Sequence, residues 1–174
     1  MTRLLSTGLG KRFALLGALV VLAMGLIAST AFAEVKLSPE GTYSGALGGQ
    51  KQTAVTVSGT PPAAFSTATH VAISTCDVSV PAEIGKRCDK AASSGETLRT
   101  VAEYEAGIGI KVRKGPWQAF DYTMGTPPIE GTGKVTCKGS GTGTVQCGIV
   151  VSYYKVEGAV VKQLGAELKE ISFS

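Results

Sequence analysis

The sequence predicts an all-β sandwich, and three observations lead to that prediction. Short runs of alternating apolar and polar residues follow one another after residue 33. Glycine, proline, serine and threonine separate these runs, and none shows a helix-length apolar period of about 3.6 residues. The four cysteines fall into two close pairs, Cys76 with Cys88 and Cys137 with Cys147, as is typical of a small domain that disulfides stabilise.

The first 33 residues have the composition of an export signal. Its basic residues are Arg3, Lys11 and Arg12. An uncharged apolar run, Ala14–Ala28, follows, and small residues at the two recognition positions predict cleavage before Glu34. The alternative is a membrane anchor over residues 13–33, because a spanning helix needs about 20 apolar residues. We expect cleavage, and therefore a secreted single domain over residues 34–174 that makes no membrane contact.

Seven runs are expected to form strands, and they lie over residues 34–38, 53–58, 69–76, 97–104, 107–113, 144–154 and 167–173. The clearest alternation is in the run 107–113, where Ile108, Ile110 and Val112 share one face. The run 97–104 has mixed faces. The last run loses its alternation between Leu168 and Ile171, which predicts a β-bulge there.

The pairing of the cysteines stays open at this point, since four cysteines allow three connectivities. The glycine-rich segment Lys138–Gly143 is typical of a hairpin tip and favours Cys137–Cys147, and with it Cys76–Cys88. Metal binding by these cysteines is not expected, because each pair is spaced too widely for a zinc site. We therefore expect two disulfides, no metal and no required cofactor.

Charge and catalytic residue types exclude further classes of function. Signal cleavage would leave 14 of the 17 Lys and Arg against 13 Asp and Glu, so no basic stripe predicts direct nucleic-acid binding. His70 is the only histidine, and no nucleophile is proposed near it. Glu103 and Glu105 flank Tyr104 without an apolar pocket, and we interpret them as exposed. We expect no enzymatic activity and no catalytic residues.

Three stretches follow one another in an order that also occurs in a known family. They are Val55–Gly59 with Val71–Cys76 and Cys88, then Gly133–Cys137 with Cys147–Ser152, and finally Glu170–Phe173. In this order the chain resembles the neocarzinostatin family of bacterial chromoprotein apoproteins. The resemblance implies a seven-stranded, antiparallel, immunoglobulin-like sandwich with a small β-ribbon. It also implies a monomeric carrier that binds an apolar enediyne-type chromophore without a covalent bond, and whose cargo damages DNA and kills bacteria.

The same resemblance implies the ligand-binding residues. Carried over by position, they are Val78, Lys86, Trp117, Phe120, Tyr122, Gly148, Val150 and Ser152. Family members tend to carry tryptophan at the position of Val78 and an apolar residue at that of Lys86, so a different preference among small aromatic ligands is implied. Trp117 and Phe120 are interpreted either as a wall of the cleft or as core residues beneath the ribbon. The alternative function is an extracellular or cell-envelope interaction module that has the same fold and no ligand.

Overall fold

The computed structural model describes residues 34–44, 51–93, 98–123, 129–139 and 145–174. The expected export signal, residues 1–33, lies outside the described residues, as do residues 140–143 of the expected hairpin tip. All described residues belong to one unit, Ala33–Ser174. No helix in this part of the chain is long and apolar enough to cross a membrane.

The described residues contain eleven strands and one α-helix. The strands are β1 Lys36–Ser38, β2 Thr42–Tyr43, β3 Thr53–Ser58, β4 His70–Asp77, β5 Cys88–Ser93, β6 Arg99–Thr100, β7 Ile108–Val112, β8 Trp117–Asp121, β9 Ile129–Val135, β10 Cys147–Glu157 and β11 Val160–Phe173. The helix is α1, Val101–Ala106, and two single 3-10 turns cover Ala63–Phe65 and Pro81–Glu83.

The strands form two sheets. The small sheet has the order β1-β3-β7, and the large sheet has the order β2-β11-β10-β4-β5-β8-β9, with β6 beside β4. The predicted all-β sandwich is confirmed, and so are both disulfides, Cys76–Cys88 and Cys137–Cys147. The strands β2, β5, β8 and β9 lie outside the seven expected runs, and β2 pairs with β11 in parallel.

The core lies between the two sheets because successive side chains of a strand point to opposite faces. On β3, Val55 and Val57 are buried while Ala54 and Thr56 are exposed. Alternate residues of β4 and β10 face them, and the buried side chains of these strands include Val71, Ile73, Ile149, Val151 and Tyr153. We call this side of the large sheet the inner face and the opposite side the outer face.

The expected strand over 97–104 is wrong for most of its length, because β6 is only two residues long and α1 follows it. Thr100 caps the helix: its hydroxyl accepts from the Glu103 backbone N–H at 3.2 Å. The Glu103 carboxylate accepts in return from the Thr100 N–H at 2.8 Å. This reciprocal arrangement is a capping box, and Tyr104, fully buried in the core, anchors the helix.

The expected bulge between Leu168 and Ile171 is also wrong, because the register with β10 is continuous from Ile171 to Gly165. The extra residue is Leu164, which lies between Gly165, opposite Tyr153, and Gln163, opposite Tyr154. Leu168 breaks the sequence pattern for a different reason. It lies on the outer face, opposite Val150, while Ile171 points into the core.

An ion pair joins the two sheets inside the sandwich. Arg113, which follows β7, donates to both carboxylate oxygens of Asp89 on β5, at 2.6 and 2.8 Å. The Asp89 side chain is 1% exposed. This hydrogen bonding to Asp89, opposed by burial, raises the pKa of Arg113. The bidentate geometry is the strong form of such a pair and fixes the end of β7 against β5.

A second buried polar group stands at the opposite end of the core. The Tyr153 hydroxyl donates to Glu167 at 2.6 Å, and the Tyr104 hydroxyl lies 3.4 Å away. Phe65 stacks on Tyr153, with ring centroids 5.2 Å apart. Burial raises the pKa of Tyr153 and also that of the Glu167 carboxyl. These contacts tie α1, β10 and β11 together.

We expect Glu167 to make stability fall as the pH rises above the ordinary carboxyl range. Burial, only partly opposed by the hydrogen bond from Tyr153, raises the pKa of this carboxyl, so the folded state keeps its proton to higher pH than the unfolded chain. The stability that Glu167 contributes is fully present at pH values below its pKa in the unfolded chain. It is lost as the pH rises through the pKa of Glu167 in the folded state. Glu167→Gln retains an acceptor for Tyr153 and removes the titration, so denaturant unfolding across the acid range should show a smaller decline. An identical decline in both proteins would contradict this assignment.

Candidate ligand-binding site

The outer face of the large sheet brings together several of the residues that the resemblance implies. Alternation on β10 points Cys147, Ile149 and Val151 into the core, and therefore places Gly148 and Val150 on the outer face. Cys76 lies directly opposite Gly148, and Ser74 directly opposite Val150. The outer face of β10 and β4 is thus built from small side chains.

A second apolar cluster covers the middle of this face and is separate from the main core. It consists of Cys76, Cys88, Val78 and Val150, with the half-buried Ile84 and Tyr122 packed against them. We call these six residues the disulfide cluster. Cys76 and Cys88 are paired in register across β4 and β5, which holds the disulfide at the centre of the cluster. Three residues implied by the resemblance, Val78, Val150 and Tyr122, therefore meet at this disulfide.

Gly148 has no room for a side chain because its neighbours occupy that space. A Cβ atom there would lie 3.3 Å from a Val78 methyl group and would clash with a Leu168 methyl group. Methyl groups of Leu168 and Val78 therefore both lie over the glycine backbone, next to Val150 on the same strand. Gly148 is itself buried. It contributes to the site by leaving room for the side chains of Leu168 and Val78.

The ribbon β8–β9 supplies the aromatic side of the site. Phe120 lies directly opposite Cys88, and Tyr122 follows it on the same side of the strand. The Lys90 ammonium lies 5.4 Å from the centre of the Phe120 ring, within the range of a cation–π contact. The Tyr122 N–H donates to the carbonyl of Gly85 at 2.9 Å, which ties the ribbon to the segment between the first two cysteines. Phe120 and Tyr122 are both half-buried.

Ser152 lies further along the outer face of β10, opposite Ala72. Its side chain is half-buried. Burial raises the pKa of the neighbouring Tyr154, and a hydrogen bond with Ser152 opposes that shift. Ser152 is therefore a polar residue at the end of the outer-face surface, two positions from Val150.

Trp117 does not lie on the outer face with Phe120 and Tyr122. It points into the core opposite Val135, is 2% exposed, and its indole N–H is buried without a hydrogen-bond acceptor. Of the two interpretations of this residue, the structure shows the core position. The aromatic side of the candidate site is therefore formed by Phe120 and Tyr122.

Lys86 is exposed and also stands apart from the disulfide cluster. It borders a shallow cavity of about 300 Å³ between the segment 83–87 and the β8–β9 ribbon. The charged residues that line this cavity are Glu83, Lys86, Arg87, Asp121 and Glu130. Arg87 also forms an ion pair with Asp77 at 3.2 Å. Ile129, Gly131 and Thr132 complete its lining, and none of the disulfide cluster lines it.

Sequence reasoning missed two residues of the site, Ile84 and Leu168. Ile84 is the one large apolar residue in the segment Pro81–Arg87, and this isolation was the available signal. Leu168 was visible as the residue that breaks the apolar alternation of the last strand. The residues that Leu168 contacts depend on the register between β11 and β10, which a single sequence does not specify.

Comparison with known proteins adds no relative to this description. No known protein family matches the chain, and neither the characterised proteins nor the solved structures compared with it give a match. The resemblance to the neocarzinostatin family therefore stays a prediction from the order of strands and cysteines.

Proposed function

We propose that this protein is a secreted, non-enzymatic carrier of the neocarzinostatin type, which binds a small apolar aromatic ligand on the outer face of its large sheet. The observation that carries the proposal is the disulfide cluster. Val78, Val150 and Tyr122 are distant in sequence, and they meet around one disulfide on the side of the sheet away from the main core. Phe120 lies directly opposite Cys88 on the neighbouring strand, and its ring is half-buried. Apolar and aromatic side chains with a few polar groups are typical of small-molecule sites.

Within this proposal the cargo is an enediyne-type chromophore held without a covalent bond, and the chromophore, not the protein, damages DNA and acts against bacteria. The two disulfides agree with an oxidising, extracellular location. Val78 offers less ring contact than a tryptophan would. We therefore propose a ligand preference that differs from that of the chromophore-binding family members.

A second candidate is an extracellular or cell-envelope interaction module without a ligand. The burial of Trp117 in the core favours it, because that ring was the largest available wall of a ligand cleft. Leu168 also favours it, since it exposes 37% of its surface beside the cluster and offers an apolar contact to a protein partner.

Isolation from the natural producer separates the two candidates. A carrier is expected to purify with a chromophore, which adds absorbance at wavelengths beyond the tyrosine and tryptophan band and adds mass under native conditions. Removal of the ligand by organic extraction should abolish both signals without unfolding the protein. An absorbance spectrum of tyrosine and tryptophan alone, together with a native mass equal to that of the polypeptide, would favour the interaction module.

A further inference from the structure

The free edge of β11 is the starting point for an inference about self-association. One side of β11 pairs with β10, whereas on its other side β2 pairs only with Ser172 and Phe173. Between Val160 and Ile171, no strand of the described residues pairs with that second side. An unpaired edge presents N–H and C=O groups that another strand can use.

Exposed apolar side chains concentrate on the same strand. Among the described residues five large hydrophobic side chains are exposed, and three of them lie on β11: Val160 at 66%, Val161 at 53% and Leu168 at 37%. Single exposed apolar residues are common on protein surfaces and need no partner. Val161 and Leu168 lie within the segment whose second side is unpaired, where a second strand would cover them.

The bulge at Leu164 gives this edge a symmetric pattern. Val161 and Leu168 are an odd number of positions apart, so a regular strand would place them on opposite faces. The extra residue at the bulge brings both side chains to the same face. Val161 pairs with Val156 and Leu168 pairs with Val150, and these two partners lie on the same face of β10. By the same registers, Lys162 and Glu167 share the other face.

We infer that this edge pairs antiparallel with the same edge of a second copy of the chain, about a two-fold axis at the Leu164 bulge. Val161 then lies opposite the partner's Leu168, and Lys162 lies opposite the partner's Glu167. The two-fold axis repeats each contact, which gives two apolar pairs and two pairs of opposite charge. Directly opposed pairs of these kinds stabilise antiparallel strands.

The length of free edge fits this arrangement. Lys169 forms ion pairs with Glu34 at 3.4 Å and with Glu40 at 3.2 Å, so the chain before β2 lies near β11 from that residue onward. The proposed pairing uses residues 161–168 and ends just before it. A bulge often twists an edge away from partners. In the proposed dimer both copies carry the same bulge at the two-fold axis. The two strands therefore bend at the same place and can stay paired.

Sedimentation velocity over a concentration series of the purified protein tests the inference. The wild-type protein is expected to form a dimer whose fraction rises with concentration, in place of the monomer that the resemblance implies. Lys162→Glu reverses one charge of each pair and should weaken the dimer by about tenfold. Lys111→Glu, on the exposed face of β7, makes the same charge change and should leave the dimer unchanged.

The double variant Lys162→Glu with Glu167→Lys exchanges the two charges and should restore the dimer. Because Glu167 also accepts a hydrogen bond from Tyr153, circular dichroism must show that the double variant folds. Val161→Lys disrupts the apolar pair without touching that hydrogen bond and should give a monomer. A wild-type protein that stays monomeric at every concentration, or a dimer that survives both Lys162→Glu and Val161→Lys, would overturn the inference. A monomeric wild-type protein would overturn the dimer without overturning ligand binding at the disulfide cluster, although Leu168 lies both beside that cluster and on the proposed dimer edge.

Discussion

Replacing Asp89 with alanine is expected to lower the free energy of unfolding by about 3–5 kcal/mol, because it removes a buried carboxylate that accepts two short hydrogen bonds from the largely buried Arg113 side chain. Arg113 makes two short hydrogen bonds to this carboxylate, and the Asp89 side chain is 1% exposed. Water therefore has little access to replace the lost acceptor. Chemical denaturation followed by circular dichroism measures the loss.

The matched control for this variant is Glu157→Ala. Glu157 pairs with Lys155 at 2.8 Å, but on the exposed hairpin between β10 and β11. Exposed ion pairs contribute little to stability because solvent screens them. A loss in Asp89→Ala no greater than that in Glu157→Ala would show that the pair between the sheets is not a structural element.

Removing the Cys76–Cys88 disulfide, by changing both cysteines to alanine, is expected to lower stability by about 2–5 kcal/mol. Much of this loss arises in the unfolded chain, which gains freedom when the loop is opened. Both cysteines are also fully buried within the disulfide cluster, so the variant loses apolar packing as well. Thermal or denaturant unfolding under non-reducing conditions measures the effect.

The other disulfide provides the control. The double alanine variant of Cys137 and Cys147 should lose stability to a similar extent, because its closed loop has a similar length. Only the Cys76 and Cys88 variant should also lose ligand affinity, since that disulfide alone lies in the cluster. Equal effects of both variants on binding would mean that ligand affinity reports overall stability and not the site.

Much of the fold was predictable because strand alternation is a local property of the sequence. The run 53–58 became β3 with the expected bounds, and the glycine-rich segment between Cys137 and Cys147 favoured the observed disulfides. The helix α1 was missed although its capping signal, Thr100 three residues before Glu103, is present. The run 97–104, with its mixed faces, was interpreted as a weak strand. The capping box instead stabilises a helix over most of this run.

The candidate site was predictable in part, for a reason that Trp117 illustrates. Alternation along β8 separates Trp117 from Phe120 and Tyr122, so the three rings could not share one face of a regular strand. The interpretation of Trp117, Phe120 and Tyr122 as one wall did not take this alternation into account. The position of Leu168 beside Val78 depended instead on strand register, and that is set by contacts between distant segments.

The most direct test of the central claim is a map of where an aromatic ligand binds. Titration with 2-naphthoate, followed by methyl and backbone NMR, is expected to shift the resonances of Val78, Ile84, Val150 and Leu168. Core methyl groups such as those of Val57 should not move. Tyr122→Ala should weaken the affinity by about threefold to tenfold, since one aromatic pair contributes about 0.5–1.5 kcal/mol beyond its buried area. Ile129→Ala, an exposed apolar change on the same ribbon, should leave the affinity unchanged. Saturating ligand that shifts no outer-face resonance, or that shifts only residues outside the disulfide cluster, would contradict the assignment of this face as the binding site.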